Sequence, residues 1–183
     1  LETLSIFALT TEDGMEILRL IAGYDPDDLF SKTEAPHCDL SPRAQPEHFR
    51  FAIPKPEDLI FFGDVDAELL FERAIMRLEK LGGSAVEVDY GVFMEAQRLL
   101  YEAPFLAERS ASLAPIIAGH EAALHPVTRD ILAGATDWTA IDTYRAIHRL
   151  AELKRDARRV LRGTDVLVLP TTPTIYRVSE VLD

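Results

Sequence analysis

The chain has 183 residues, 48% of them hydrophobic, and a formal net charge of -12 from 19 basic and 31 acidic side chains. That length supports one substantial core, burying about 70% of the unfolded surface, so one domain or one large lobe is expected. The acidic balance repels phosphate backbones and anionic membranes, which excludes nucleic acid and a membrane as partners at this level of reading. An acidic chain that binds an acidic ligand needs a specific local cation.

Cys38 is the only cysteine, so no internal disulfide is expected and a cytoplasmic setting fits. No run reaches the roughly 18 apolar residues of a membrane span, and the start lacks a signal-peptide pattern.

In chain order, Thr10, Thr11 and Asp13 precede a helical spacing of Met15, Ile17, Leu18, Leu20 and Ile21, with Gly23 beyond it. This predicts a helix over 11–22, in which Asp13 is a first-turn acid that complements the dipole. Residues 25–48 hold Pro26, Pro36, Pro42 and Pro46 among Asp, Ser and Glu, a surface connection. The sequence thus divides into an opening segment and helix (1–24), a Pro-rich connection (25–48) and an α/β lobe (49–183).

Within the lobe, 49–53 reads as a strand, 64–81 as an amphipathic helix stopped by Gly82-Gly83, and 85–88 as a second strand. Strand-helix-strand order predicts parallel pairing, hence a mixed, largely parallel sheet covered by helices. Further helices are expected over 91–102, from 104 to about 119, over 126–133 and over 140–162. In the last, Glu152, Lys154, Arg155, Asp156, Arg158 and Arg159 form a solvated face opposite Leu150, Leu153, Ala157, Val160 and Leu161. Val166-Leu167-Val168-Leu169 reads as a strand buried on both faces.

Between two of these helices, Tyr101 and Arg109 stand either side of Pro104. On an unbroken helix they would lie roughly 12 Å apart along the axis and about 80° around it. Proline cannot donate to the carbonyl four residues back and crowds it, so a new helix is expected to start there. The spacing fits two readings: a kinked helix whose Tyr and Arg cover neighbouring surface, or a phenol and a guanidinium bordering one concavity for an anionic ligand.

After the last strand, Pro170-Thr171-Thr172-Pro173-Thr174 leaves the sheet edge where parallel α/β folds place ligand loops. Thr171, Thr172 and Thr174 are candidate cleft residues, and a proline-stiffened turn without a ligand fits equally. No histidine pair among His120, His125 and His148 has the i, i+4 spacing of zinc helices, so no metal site is assigned. Trp138 is expected to pack at a helix start. Glu87 and Asp89 alternate on one strand face, where they suit solvent as well as catalysis.

Four segments carry a resemblance: Leu1-Glu2-Thr3-Leu4-Ser5-Ile6-Phe7-Ala8-Leu9-Thr10, the Tyr101 to Arg109 stretch, His125-Pro126-Val127-Thr128-Arg129 and Leu169-Pro170-Thr171-Thr172-Pro173-Thr174-Ile175-Tyr176. In this order they resemble the amidase signature family, across nearly the whole chain. General members carry Gly-Pro where Ser5, Ile6 and Phe7 stand, and the departure favours the allophanate hydrolase branch.

The resemblance implies that Tyr101 and Arg109 bind the carboxylate of a small anionic amide substrate, and that the threonine loop lies near the active-site cleft. It implies a late step of urea breakdown, in which allophanate gives ammonia and carbon dioxide without a metal or organic cofactor.

The family's machinery is a nucleophilic serine in a Gly/Ser-rich loop, a second serine after a cis peptide bond, and a lysine base. None of the serines at 5, 31, 41, 84, 110, 112 and 179 lies in such a loop, and the lysines at 32, 55, 80 and 154 have no matching context. No catalytic residue is therefore assigned. The chain reads as the downstream part of an amidase domain, silent by itself, whose partner is the N-terminal part of that domain. A C-terminal domain and a urea carboxylase, separate or fused, remain open as further partners. Two other readings stand beside this one: a general amidase acting on a neutral amide, and a noncatalytic fragment that packs or interacts.

Overall fold

The computed structural model describes residues 4–31, 46–101 and 104–182. The chain divides into two compact units, Leu1–Gln45 and Pro46–Asp183. In the first, Thr10 is extended (φ -128, ψ 160) and its side chain accepts from the Asp13 amide, which starts α1 at Thr11–Ile21. Glu12 and Asp13 occupy its first turn and Arg19 its last, matching the polarity of the helix. After it, the Ser31 hydroxyl accepts from the Asp25 amide at 2.9 Å, closing a polar turn. The remainder of the Pro-rich connection, 32–45, with Lys32, Cys38 and Ser41, lies outside the described residues.

The second unit begins with β1 (Phe49–Pro54), followed by α2 (Val65–Lys80) and β2 (Gly83–Val88). Then come α3 (Gly91–Tyr101), α4 (Phe105–Ile117), α5 (Pro126–Ala133), α6 (Ala140–Val160), β3 (Val166–Leu167) and α7 (Val178–Leu182). The described strands pair in parallel in the order β2-β1-β3, as the strand-helix-strand pattern requires. Phe51 faces Ala85 on one side and Val166 on the other, and Phe51 and Ala52 are fully buried. Burying a phenylalanine of this kind stabilises by about 1.5–3 kcal/mol, so the middle strand anchors the unit.

Gly82 and Gly83 do more than stop α2. Gly82 has φ +94, and a Cβ there would sit 2.0 Å from the Glu47 carbonyl oxygen. A Cβ on Gly83 would sit 2.7 Å from Cζ of Phe49 and 2.8 Å from Cε1 of Phe51. The pair lets the chain leave the helix and enter the sheet directly against β1.

Two expectations need correction. The 166–169 run is not a strand buried on both faces: β3 is a two-residue edge strand, with Val166 47% and Leu169 38% exposed. Among the described residues β1 alone neighbours it, and beyond the pairing the Val168 amide still donates to the Ala52 carbonyl at 2.9 Å. Among the described strands the core lies on β1, where Phe51, Ala52 and Pro54 are buried while Arg50 stays exposed. Likewise, Asp89 does not share a strand face with Glu87, because β2 ends at Val88 and the Asp89 carboxylate accepts from the Gly91 amide at 2.9 Å. This side chain supports the turn into α3.

The helical layer follows its local signals. Thr139 and Asp142 form a reciprocal capping box that starts α6. Along that helix Ala146 and Leu153 are buried, while Glu152, Lys154, Arg155, Arg158 and Arg159 are exposed. Arg149 joins α6 to α3 by a two-pronged contact with Glu95, 2.6 Å to Oε1 and 2.7 Å to Oε2.

Candidate functional site

Tyr101 is the last residue of α3, and Arg109 lies just over one turn into α4. Pro104 caps α4 with φ -59 and ψ -10, and its carbonyl accepts from the Ala107 amide at 2.9 Å. A proline is favoured at a helix start because no amide hydrogen is needed there. Pro104 and Leu106 are buried, which fixes the first turn of α4. The Glu95–Arg149 contact holds α3 against α6 from the other side.

The two functional groups meet. Cζ of Arg109 lies 5.8 Å from the centroid of the Tyr101 ring, inside the range of a cation–π contact. On a straight helix their backbones would lie roughly 12 Å apart along the axis; here the two side-chain ends meet at the junction of α3 and α4. Tyr101 is 56% exposed and Arg109 half-buried, so the stacked pair is reachable by a small ligand. A guanidinium held beside a ring by a cation–π contact still has N–H groups to offer, and these can meet both oxygens of a carboxylate.

The threonine loop builds a second feature. Thr171, Thr172 and Thr174 line a concavity of about 360 Å³ together with Asp64, Asp66, Leu70, Phe71 and Leu169. It sits where β3 runs out and α2 begins, and neither Tyr101 nor Arg109 lines it. The Thr174 hydroxyl donates to Asp64 Oδ2 at 2.8 Å, while the Thr172 hydroxyl donates to the Thr174 carbonyl at 2.8 Å. Asp64 Oδ1 accepts from the Ala67 amide at 2.9 Å and so caps α2. The Ala67 amide, and then the Thr174 hydroxyl, hold the Asp64 carboxyl below its ordinary range.

Sequence reasoning placed Asp64 inside its helix and gave it no further role. Its position just after Gly63 and before an apolar-periodic run marks an N-cap. Its bond to Thr174, across 110 residues, leaves no local trace. Glu95 and Arg149 were missed for the same reason. Arg149 holds the Glu95 carboxyl below its usual range, chiefly by direct hydrogen bonding, and the guanidinium is held charged in return.

The remaining sequence candidates lie elsewhere. His120 Nδ1 is 3.2 Å from the Ala118 carbonyl, His125 precedes α5 without capping it through its side chain, and His148 is exposed on α6. Among the described residues no group of three or more His, Cys, Asp or Glu is arranged to hold a metal ion. Trp138 stands immediately before the α6 cap and is 40% exposed. Glu87 borders a smaller concavity of about 210 Å³ with Glu68, Glu72, Phe71 and Ile75. No helix among the described residues is long and apolar enough to cross a membrane.

Comparison with known proteins gives a consistent picture. The family model described as Amidase matches residues 1–176. Urea amidolyase of Saccharomyces cerevisiae is 28% identical over 186 residues, covering all of this chain and 10% of the yeast protein. The structure of Kluyveromyces lactis allophanate hydrolase superposes with a TM-score of 0.69 and 28% identity, over 75% of this chain and 22% of that one. A glutamyl-tRNA(Gln) amidotransferase subunit from a Synechococcus strain is 31% identical over 201 residues, 95% of this chain and 38% of its own length. The chain thus spans about a tenth of the yeast relative.

Proposed function

Because this chain belongs to the Amidase family, we propose that it is part of an amidohydrolase that cleaves allophanate to ammonia and carbon dioxide, and that Tyr101 and Arg109 hold the carboxylate of the substrate. The observation that carries the reading is the 5.8 Å cation–π approach of guanidinium to phenol at the junction of α3 and α4. Allophanate is urea bearing a carboxylate, so its recognition calls for a planar cation that meets two oxygens and a hydroxyl that can turn to a neighbouring acceptor. In a chain of net charge -12, a placed guanidinium gives the local attraction that the overall field opposes.

In this reading the chain supplies binding walls, and a lysine-activated serine from the N-terminal part of the amidase domain attacks the terminal amide carbonyl. Ammonia leaves, water releases the acyl group as N-carboxycarbamate, and this product breaks down without further catalysis to carbon dioxide and the second ammonia. The opening segment (1–24), the connection (25–48) and the lobe (49–183) are successive parts of that one domain. A reaction that carboxylates urea supplies the substrate, and the enzyme works in the cytoplasm. The names of the urea amidolyase and allophanate hydrolase relatives support this substrate over others.

A second reading is an amidase acting on a neutral amide, with Tyr101 and Arg109 as scaffold. Similarity to the amidotransferase favours it. Steady-state kinetics of the intact protein separate the two: the first expects turnover of allophanate to exceed that of a neutral isostere such as biuret, and the second the reverse.

A further inference from the structure

The three threonines of the 170–175 loop are not equivalent. The hydroxyls of Thr172 and Thr174 are both engaged as donors within the protein, to the Thr174 carbonyl and to Asp64. Thr171 lines the same concavity, is exposed, and among the described residues has no side-chain partner. Asp64 in turn is set by a turn in which Phe62 (φ 52) and Gly63 (φ 82) are both left-handed and the Asp64 amide donates to the Phe61 carbonyl at 2.9 Å. A phenylalanine rarely adopts that conformation, so the turn is held by its surroundings.

We propose that Asp64 and Thr174 are positioning residues, whose hydrogen bond pins the loop after β3 to the head of α2 and presents the Thr171 hydroxyl to the bound substrate. Asp64 suits this work because its two oxygens face different tasks. One caps a helix that packs on the sheet, and the other receives the loop, so the loop inherits the rigidity of the helix start. Among the described residues, the Thr174 donor is the side-chain bond that ties this loop to α2; the Thr172 bond stays within the loop and the β3 ladder is two residues long. The lining is mostly apolar, with Leu70, Phe71 and Leu169, and its polar side chains, Asp64, Asp66 and the threonines, offer acceptor oxygens, so the polar contact it can add suits an N–H of a small amide rather than its carboxylate.

This inference rests on reading the chain as part of an allophanate-cleaving amidase, and its test keeps the two apart. In the intact protein, Thr174→Val is expected to lower kcat/KM for allophanate about tenfold and to speed amide exchange over residues 168–176. Thr174→Ser, which restores the donor, recovers most of both losses. Thr171→Val lowers kcat/KM by a similar factor with loop exchange unchanged, as loss of a substrate contact requires. Asp64→Asn also weakens the helix cap, so the Thr174 pair carries the test if that variant fails to fold. Unchanged exchange in Thr174→Val, or full kcat/KM in both valine variants while Arg109→Ala loses activity, overturns the positioning role and leaves the substrate reading standing. Full activity in Arg109→Ala and in both valine variants overturns the two together.

Discussion

The guanidinium of Arg109 lies over the ring of Tyr101, its central carbon 5.8 Å from the centroid. At this distance the ring face attracts the cation, which favours conformers of Arg109 that keep the guanidinium beside the phenol. A side chain already held near one conformation loses less entropy when it takes up a ligand.

Arg109→Ala in the intact protein is expected to remove a charge-assisted contact of roughly 1.5–3 kcal/mol, or about ten- to a hundredfold in kcat/KM for allophanate. Arg109→Lys should not restore it, because an ammonium neither stacks flat on the ring nor grips two oxygens. Turnover of a neutral amide should change little in either variant. Unaltered kinetics with allophanate would refute the assignment.

Tyr101→Phe retains the ring under the guanidinium and removes only the hydroxyl, so a smaller loss of about 0.5–1.5 kcal/mol is expected, seen in KM more than in kcat. Tyr101→Leu should cost more, since it also removes the stacking surface. Equal losses in the two variants would mean that the ring contributes nothing to orienting Arg109.

Gly82→Ala is expected to destabilise the fold by at least about 1–3 kcal/mol, because it places a side chain at positive φ and against the Glu47 carbonyl. Gly83→Ala drives a methyl into Phe49 and Phe51 and should be comparably harmful. Urea unfolding followed by circular dichroism measures both. A midpoint within about 0.1 M of the parent, roughly a 0.2 kcal/mol change, would show that the strand start shifts freely.

Acid should loosen the junction of α3 and α6. Arg149 depresses the Glu95 carboxyl in the folded chain, so the contact contributes stability above the unfolded pKa and loses it as pH falls through the folded value. The melting temperature is therefore expected to decline below about pH 4.5, the ordinary glutamate range. Glu95→Gln should flatten that decline while lowering stability at neutral pH. An acid limb as steep as the parent's would place the titration elsewhere.

How far the sequence reaches depends on the distance over which its signals act. The helix starts at Thr11, Pro126 and Ala140 match the sequence expectation because caps and prolines act within one turn. Gly82-Gly83 was legible as a stop, but its second role, the close approach to Glu47, Phe49 and Phe51, was not. The 166–169 run misled because four apolar residues look alike in a central and in an edge strand, and only the order β2-β1-β3 distinguishes them.

The site divides in the same way. Spacing left Tyr101, Arg109 and the threonines open between scaffold and ligand groups and the family resemblance nominated them, whereas the helix break at Pro104 followed from proline's missing donor, a property of one residue. Tertiary structure decided that the guanidinium carbon lies 5.8 Å from the centre of the phenol ring, and that Thr174 reaches Asp64 across 110 residues. Contacts of that range are selected by which faces pack together, a property of the whole fold that no local window contains.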